Sequence, residues 1–325
     1  MNAPTIPSLT LGELIRDCAD DLGSSWLIGE ADAARIQIGG PVAAMADGKH
    51  HAAAEFVGHL NLVHPSRLQI AGREEAAYLA KLPVNRRSHY IAELMLGSPP
   101  AVILGDSTPP DPLLEAQCSQ NGVALLTSPK PAAEIIDILR IYLARALAER
   151  TSLHGVFMDV LGMGVLITGD SGVGKSELGL ELISRGHGLV ADDVVDVSHT
   201  GPKTLEGRCP AMLKNLLEVR GLGLLDIRAI FGETAVRPKM NLKLIVHLAK
   251  PNITEAPEYE RLPLNAVTQM VLGVTVSKVV IPVAAGRNLA VLLEAAVRNT
   301  ILKLRGFDPM AEFAARQALA MRDGE

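Results

Sequence analysis

Gly169-Asp170-Ser171-Gly172-Val173-Gly174-Lys175-Ser176 satisfies the pattern G-x-x-x-x-G-K-S/T at every fixed position. Its glycines let the backbone turn so that successive N–H groups face inward, onto phosphate oxygens. A helix starting directly after the loop presents its unpaired first-turn N–H groups to the same anion. Lys175 is then placed for the β- and γ-phosphates, and the Ser176 hydroxyl for Mg²⁺. A chance match in a chain of 325 residues arises about once in a hundred cases. A glycine-rich turn that merely joins a strand to a helix is the plain alternative. The flanks argue against it: residues 165–168 read as a short apolar strand and residues 177–184 as a helix.

The loop does not by itself choose among kinase, GTPase and motor ATPase. The Asn-Lys-x-Asp segment by which a GTPase reads its base is missing, and so is an apolar strand ending in Asp-Glu. The next apolar run, residues 189–191, ends instead in Asp192-Asp193. Strand ends beside a phosphate loop face the ligand crevice. A carboxylate there can ligate Mg²⁺ through water or take a proton from an attacking hydroxyl. An aspartate pair that only caps a turn is common, but two adjacent carboxylates at this edge favour chemistry. Further on, residues 242–248 read as another strand, 288–304 as an amphipathic helix and 309–321 as a final helix.

Upstream of the loop, Thr10-Leu11-Gly12-Glu13 resembles a capping box opening a helix that runs through about Asp21. Short apolar runs at 35–38, 58–63, 101–104 and 123–126 then alternate with helical patterns, separated by proline-rich punctuation. This is an α/β arrangement with a parallel sheet and no catalytic motif. Asp106 and His64 read as loop solvation. Pro129 and Pro131 precede a helical stretch over 133–150, read as the element joining two domains. The expected division is therefore an N-terminal α/β domain over 1–130, regulatory or assembling in role, and a P-loop catalytic domain over 131–325.

Composition narrows the function classes. Apolar residues make up 48% of the chain and charged ones 21%, enough to bury a core. Aromatics are only 3%, too few for a platform that stacks single-stranded bases. A net charge of -5 leaves no basic footprint for nucleic acid. Cys18, Cys118 and Cys209 are widely spaced and read as buried free thiols rather than a disulfide or zinc set. The first ten residues lack a signal-peptide pattern. The nearest membrane-length apolar stretch, 270–286, is broken by Lys278 and Pro282. A soluble, cytoplasmic protein with no nucleic-acid or membrane partner is expected.

Beyond these features the sequence resembles the HPr kinase/phosphorylase family. The resemblance rests on the loop together with His154-Gly155-Val156, Gly186-His187-Gly188-Leu189-Val190-Ala191-Asp192-Asp193, and the run from Leu217 through Glu218 and Arg220 to Asp226. Tyr259-Glu260-Arg261-Leu262 and the run from Ile281 to Ala290 add to it. Their order and spacing fit over about residues 150–310; the N-terminal domain is similar more loosely. The family implies a P-loop domain resembling the phosphoenolpyruvate carboxykinase-like fold. It also implies a homohexamer, and a phosphocarrier protein, HPr, docking across neighbouring subunits. The implied activity is two-way: an ATP-dependent serine kinase with Mg²⁺, and a phosphorylase that uses inorganic phosphate and releases pyrophosphate, linked to carbon-metabolism regulation.

The resemblance also implies roles. Asp193 is the acid/base carboxylate, and His154 orients it or tunes its pKa. Glu218 joins Ser176 as a Mg²⁺ ligand. Arg261 meets the charge on the transferring phosphoryl group. Pro282, Val283, Ala284, Ala285, Gly286 and Arg287 form the segment used in dephosphorylation. Many family members carry Arg-Pro where this chain has Ala284-Ala285, so one positive charge is missing from that segment. Two alternatives keep the loop but change the function. One is a small-molecule kinase on the same fold, the other a nucleotide-binding regulator without turnover.

Overall fold

The computed structural model describes residues 5, 7–38, 56–250, 267–284 and 286–323. They form two compact units, Thr5–Glu149 and Arg150–Glu325. The division falls later than the expected boundary near residue 130, and the helix Ala132–Ala146 is the reason. Its Ile135, Ile136, Leu139 and Leu143 are buried in one cluster with Leu14, Leu68, Ile103 and Leu126. It is a core element of the first unit, not a joint, and residue 150 opens a strand rather than ending the helix.

In the first unit, β1 (Leu9–Thr10) leads into the helix Leu11–Asp17. The capping box is formed: Glu13 N donates to Thr10 Oγ1 at 3.2 Å, and Thr10 N donates to Glu13 Oε2 at 2.9 Å. That helix ends at Cys18, short of Asp21, and a separate turn Ala19–Leu22 follows. The remaining strands are β2 (Ser25–Ile28), β3 (Gln37–Ile38), β4 (Val57–His59), β5 (Leu68–Ala71), β6 (Ala101–Leu104) and β7 (Ala124–Thr127). The run expected as a sheet strand at 35–38 instead pairs β3 with β1. The main sheet has the order β2-β7-β6-β5-β4, with β4 to β7 parallel and β2 antiparallel. Every residue of β5 and β6 is buried, as expected of parallel strands covered on both faces.

The second unit holds β8 (Arg150–His154), β9 (Val156–Val160), β10 (Met163–Gly169), β11 (Gly188–Ala191), β12 (Val194–Gly201) and β13 (Thr204–Arg208). After a two-stranded hairpin, β14 (Leu216–Val219) and β15 (Gly223–Asp226), come β16 (Lys239–Ala249), β17 (Thr268–Val271) and β18 (Val274–Pro282). Nine of these strands form one mixed sheet, ordered β11-β9-β10-β16-β13-β12-β8, with β18 also on β16 and β17 on β18. β10, β16 and β18 are mutually parallel. β9 runs antiparallel between β10 and β11, so β10 and β11 point the same way and end at the same edge. This brings the ends of the two strands, Gly169 and the Asp192-Asp193 pair, to one edge, as expected from the sequence.

The helix after the loop spans Lys175–Ser184, two residues earlier than the expected start. Its Leu178, Leu182 and Ile183 pack with Val156, Val165, Ile167, Leu244 and Val246 of the sheet and with Leu293 and Val297 of the helix Leu289–Leu304. Each such side chain, fully buried, contributes about 1.5–3 kcal/mol, so the loop is braced on a packed face. The opposite face buries Phe157, Leu166, Val195, Leu205 and Ile245. The stretch 270–286, weighed above as a membrane candidate, is largely the β17–β18 hairpin. Among the described residues no helix is long and apolar enough to cross a membrane. Cys18 and Cys118 are buried, while Cys209 is half-buried, so the expectation of three buried thiols needs correcting at Cys209.

Candidate active site

The loop between β10 and its helix requires glycine at its bends. Gly169 has φ +147, and a Cβ there would stand 2.6 Å from Leu248 O. Gly174 has φ +97 directly before the helix, in the left-handed region that glycine enters freely. Lys175 Nζ donates to Gly169 O and to Asp170 O, both at 3.0 Å. Its ammonium lies against the loop, where phosphate oxygens could replace those carbonyls as acceptors.

Behind the loop is the Asp192 carboxylate. It accepts from Ser176 Oγ at 3.4 Å through Oδ1 and from Glu218 N at 2.8 Å through Oδ2. Asp192 is only 8% exposed. Burial pushes its carboxyl above the ordinary 3.8, opposed by the backbone donors of Glu218 and Asp193. Asp193, the next residue, is exposed and has φ +62. Two adjacent carboxylates are thus split by one left-handed residue into a buried group on the serine hydroxyl and an exposed group at the rim. His154, also exposed, ends β8 opposite Val194, and Gly155 N donates to Asp193 O at 3.0 Å. The structure therefore brings His154 beside Asp193, and the Glu218 backbone beside Asp192.

Three further groups reach the loop: Arg220, from the run Leu217 to Asp226 quoted above, and Lys250 and His247, which no motif in the sequence marks. A Cβ on Gly172 would lie 3.4 Å from Arg220 Nη1, so that guanidinium packs over the loop. Lys250, just past β16, donates from Nζ to Ser171 O at 3.4 Å. On β16, His247 Nδ1 lies 3.1 Å from Thr168 Oγ1, immediately before the loop. Burial, then the Lys278 charge, holds this imidazole below its ordinary 6.5, partly offset by Asp170. Parallel pairing of β10 with β16 delivers both His247 and Lys250, a long-range contact no local spacing reveals.

Of the remaining expected residues, Pro282 ends β18 opposite Ala249, and Val283 N donates to Ala249 O at 2.9 Å. Arg287 N donates to Ala284 O at 3.2 Å, Gly286 has φ +81, and Ala284 and Arg287 are exposed. This stretch thus starts on β18, separated from the loop's own strand by β16. Arg261 and Ala285 lie outside the described residues.

A metal can be tested against this arrangement. Among the described residues no three His, Cys, Asp or Glu side chains gather as a closed metal site. Mg²⁺ on nucleotide phosphates needs only one or two protein oxygens and keeps several waters. The Ser176 hydroxyl with the Asp192 carboxylate behind it fits that need.

A phosphate loop with a hydroxyl, a buried carboxylate and a rim carboxylate at one sheet edge defines the class, a P-loop phosphotransferase. Comparison with known proteins agrees. The family model described as HPr Serine kinase C-terminal domain matches residues 145–317, and HPr Serine kinase N terminus matches residues 10–143. The HPr kinase/phosphorylase of Bordetella pertussis (strain Tohama I) is 58% identical over 96% of this chain and 98% of its own length. That of Paraburkholderia xenovorans is 54% identical over 97% of this chain and 96% of its own. The solved structure of the Hpr(Ser) kinase/phosphatase from Coxiella burnetii covers 50% of this chain and 98% of its own, with 39% identity and a TM-score of 0.44. The chain belongs to the HPr kinase/phosphorylase family.

Proposed function

We propose that this protein is a bifunctional enzyme that phosphorylates a serine of the phosphocarrier protein HPr with ATP and removes that group with inorganic phosphate. The observation that carries the reading is the split aspartate pair at the loop, Asp192 behind Ser176 and Asp193 at the rim beside His154. HPr as acceptor follows from the relatives' names and the family. In the forward direction Asp193 takes the serine proton as the serine oxygen attacks the γ-phosphorus and the bond to the ADP oxygen breaks. In reverse, an oxygen of inorganic phosphate attacks the phosphorus of phosphoserine. The bond to the serine oxygen breaks, Asp193 returns the proton, and serine and pyrophosphate leave. His154 orients Asp193.

Bound Mg²⁺ supplies positive charge to the phosphoryl oxygens. Ser176 Oγ would hold it, with Asp192 and Glu218 as the nearby hard oxygens. Arg261 and the segment 282–287 serve the transferring group and the reverse reaction. We assign the catalytic unit to the phosphoenolpyruvate carboxykinase-like fold and the assembly to a homohexamer, with the first unit regulatory or assembling. The protein works in the cytoplasm, free of membrane and nucleic acid.

Incubation with labelled ATP, Mg²⁺ and purified HPr should place label on an HPr serine. Added inorganic phosphate should then release labelled pyrophosphate. Label on a small metabolite, with none on HPr, would overturn the assignment.

A further inference from the structure

We propose that Lys250 is a second phosphate-binding lysine of this site, and that it acts chiefly on free inorganic phosphate. The inference rests on the two-way activity proposed above. The Lys250 ammonium reaches Ser171 O at 3.4 Å, while Lys175 holds Gly169 O and Asp170 O at 3.0 Å, so two lysines from different elements line consecutive carbonyls of one loop. Lys250 is exposed and, among the described residues, its ammonium has no carboxylate partner; its one hydrogen bond is to that carbonyl. A charge held only by a neutral main-chain oxygen is free to move to an arriving anion.

The topology explains why this lysine is delivered to the loop. β16 lies between β10 and β18, parallel to both, so all three carboxyl ends open on one crevice, the place where open α/β sheets receive ligands. Leu248 is opposite Gly169 on one side, and Ala249 is opposite Pro282 on the other. Lys250 therefore leaves the sheet between the loop and the stretch that starts at Pro282. Nothing in its local sequence marks it.

The preference for inorganic phosphate follows from the chemistry of the two directions. A nucleoside triphosphate is held along several phosphoryl groups by loop N–H groups, Lys175 and a metal, with its base and sugar adding more. Inorganic phosphate, which becomes one end of pyrophosphate, has a single group to be held by. Losing one ammonium removes a larger share of what binds it.

The test compares wild type with Lys250→Ala and Lys250→Arg. Phosphorolysis of phosphorylated HPr is followed against phosphate concentration, and phosphorylation of HPr against ATP concentration. Lys250→Ala should raise KM for phosphate about tenfold, as loss of one charge-assisted hydrogen bond does, and KM for ATP less than about threefold. Lys250→Arg should recover most of the loss, and the melting temperature should be unchanged in both variants. Equal rises in both KM values would mean that Lys250 only props the loop, and would overturn the proposal; so would no change in either. Titration calorimetry with inorganic phosphate alone separates this inference from the reading beneath it. If wild type releases no pyrophosphate, the two-way reading fails. If phosphate binds wild type and Lys250→Ala equally, the assignment of Lys250 fails.

Discussion

At Asp192 and Asp193 a single left-handed residue, φ +62 at Asp193, separates two carboxylates that the sequence presents as a pair. Aspartate and asparagine both tolerate this region of backbone space, so Asp193→Asn leaves the turn intact and removes only the proton acceptor. It should lower phosphorylation and phosphorolysis together by about 10²–10⁴-fold, the usual worth of general acid–base catalysis, with ATP affinity retained. Parallel assays of both directions and calorimetry with ATP check this; kinase activity near wild type would move the base elsewhere. Asp192 calls for a different test. Burial raises its pKa above 3.8, so between 3.8 and the raised value the folded chain holds a proton that the unfolded chain has released. Stability from this group is therefore greatest below pH 3.8, falls as pH rises through the raised value, and stays low at neutral pH. Asp192→Asn should accordingly raise the melting midpoint of the nucleotide-free protein at pH 7, because it removes a buried charge. The same variant should lose most kinase activity, because the oxygen behind Ser176 is no longer an anion. Melting curves without ligand read the first effect and the kinase assay the second. A lower midpoint without ligand would show that the ionised form is the stabilised one.

At the scale of elements, the site depends on the corner joining β8 to β9. Gly155 has φ +151, and a Cβ there would fall 2.3 Å from Ile167 O, so the corner admits no side chain. Its N–H also holds Asp193 O. Gly155→Ala should therefore destabilise the second unit by about 1–3 kcal/mol, a strained-backbone penalty, and displace His154 from Asp193. Denaturant unfolding measures the first effect and the kinase assay the second; an unchanged midpoint with full activity would refute the account. Local chemistry made several elements legible. Thr10 and Glu13 announce a helix start because both halves of the capping box lie within four residues. Asn288 marks another capped start, accepting from Val291 N at 3.0 Å. Stops were harder to see: the helix from Leu11 ends at Cys18, and that from Ala132 ends at Ala146, with no glycine or proline to signal either.

For the whole molecule, each unit buries its own pair of core clusters, which predicts two separately folding units. The second contains the loop, both aspartates and the cores on both faces of its sheet. A fragment of residues 148–325 should therefore unfold cooperatively and bind ATP with Mg²⁺. Circular dichroism in denaturant and calorimetry test this, and a fragment without a cooperative transition would show that the first unit is needed for folding. The boundary at Glu149 could not be placed by punctuation, because Pro129 and Pro131 open a helix of the first core instead of closing a domain. By itself the sequence determined the phosphate loop with its strand and helix, which rest on residue types within a few positions of one another. It also determined the two-unit α/β character and the family, which rest on the order of such local patterns along the chain. Only the tertiary structure decided which aspartate backs Ser176, that β10 and β11 share an edge with β9 between them, and that Lys250 and Arg220 reach the loop. The shared edge and the reach of Lys250 follow from strand order across the sheet, the reach of Arg220 from the separate β14–β15 hairpin, and the choice of Asp192 from the left-handed turn at Asp193. All of them are set by packing between residues far apart in the chain.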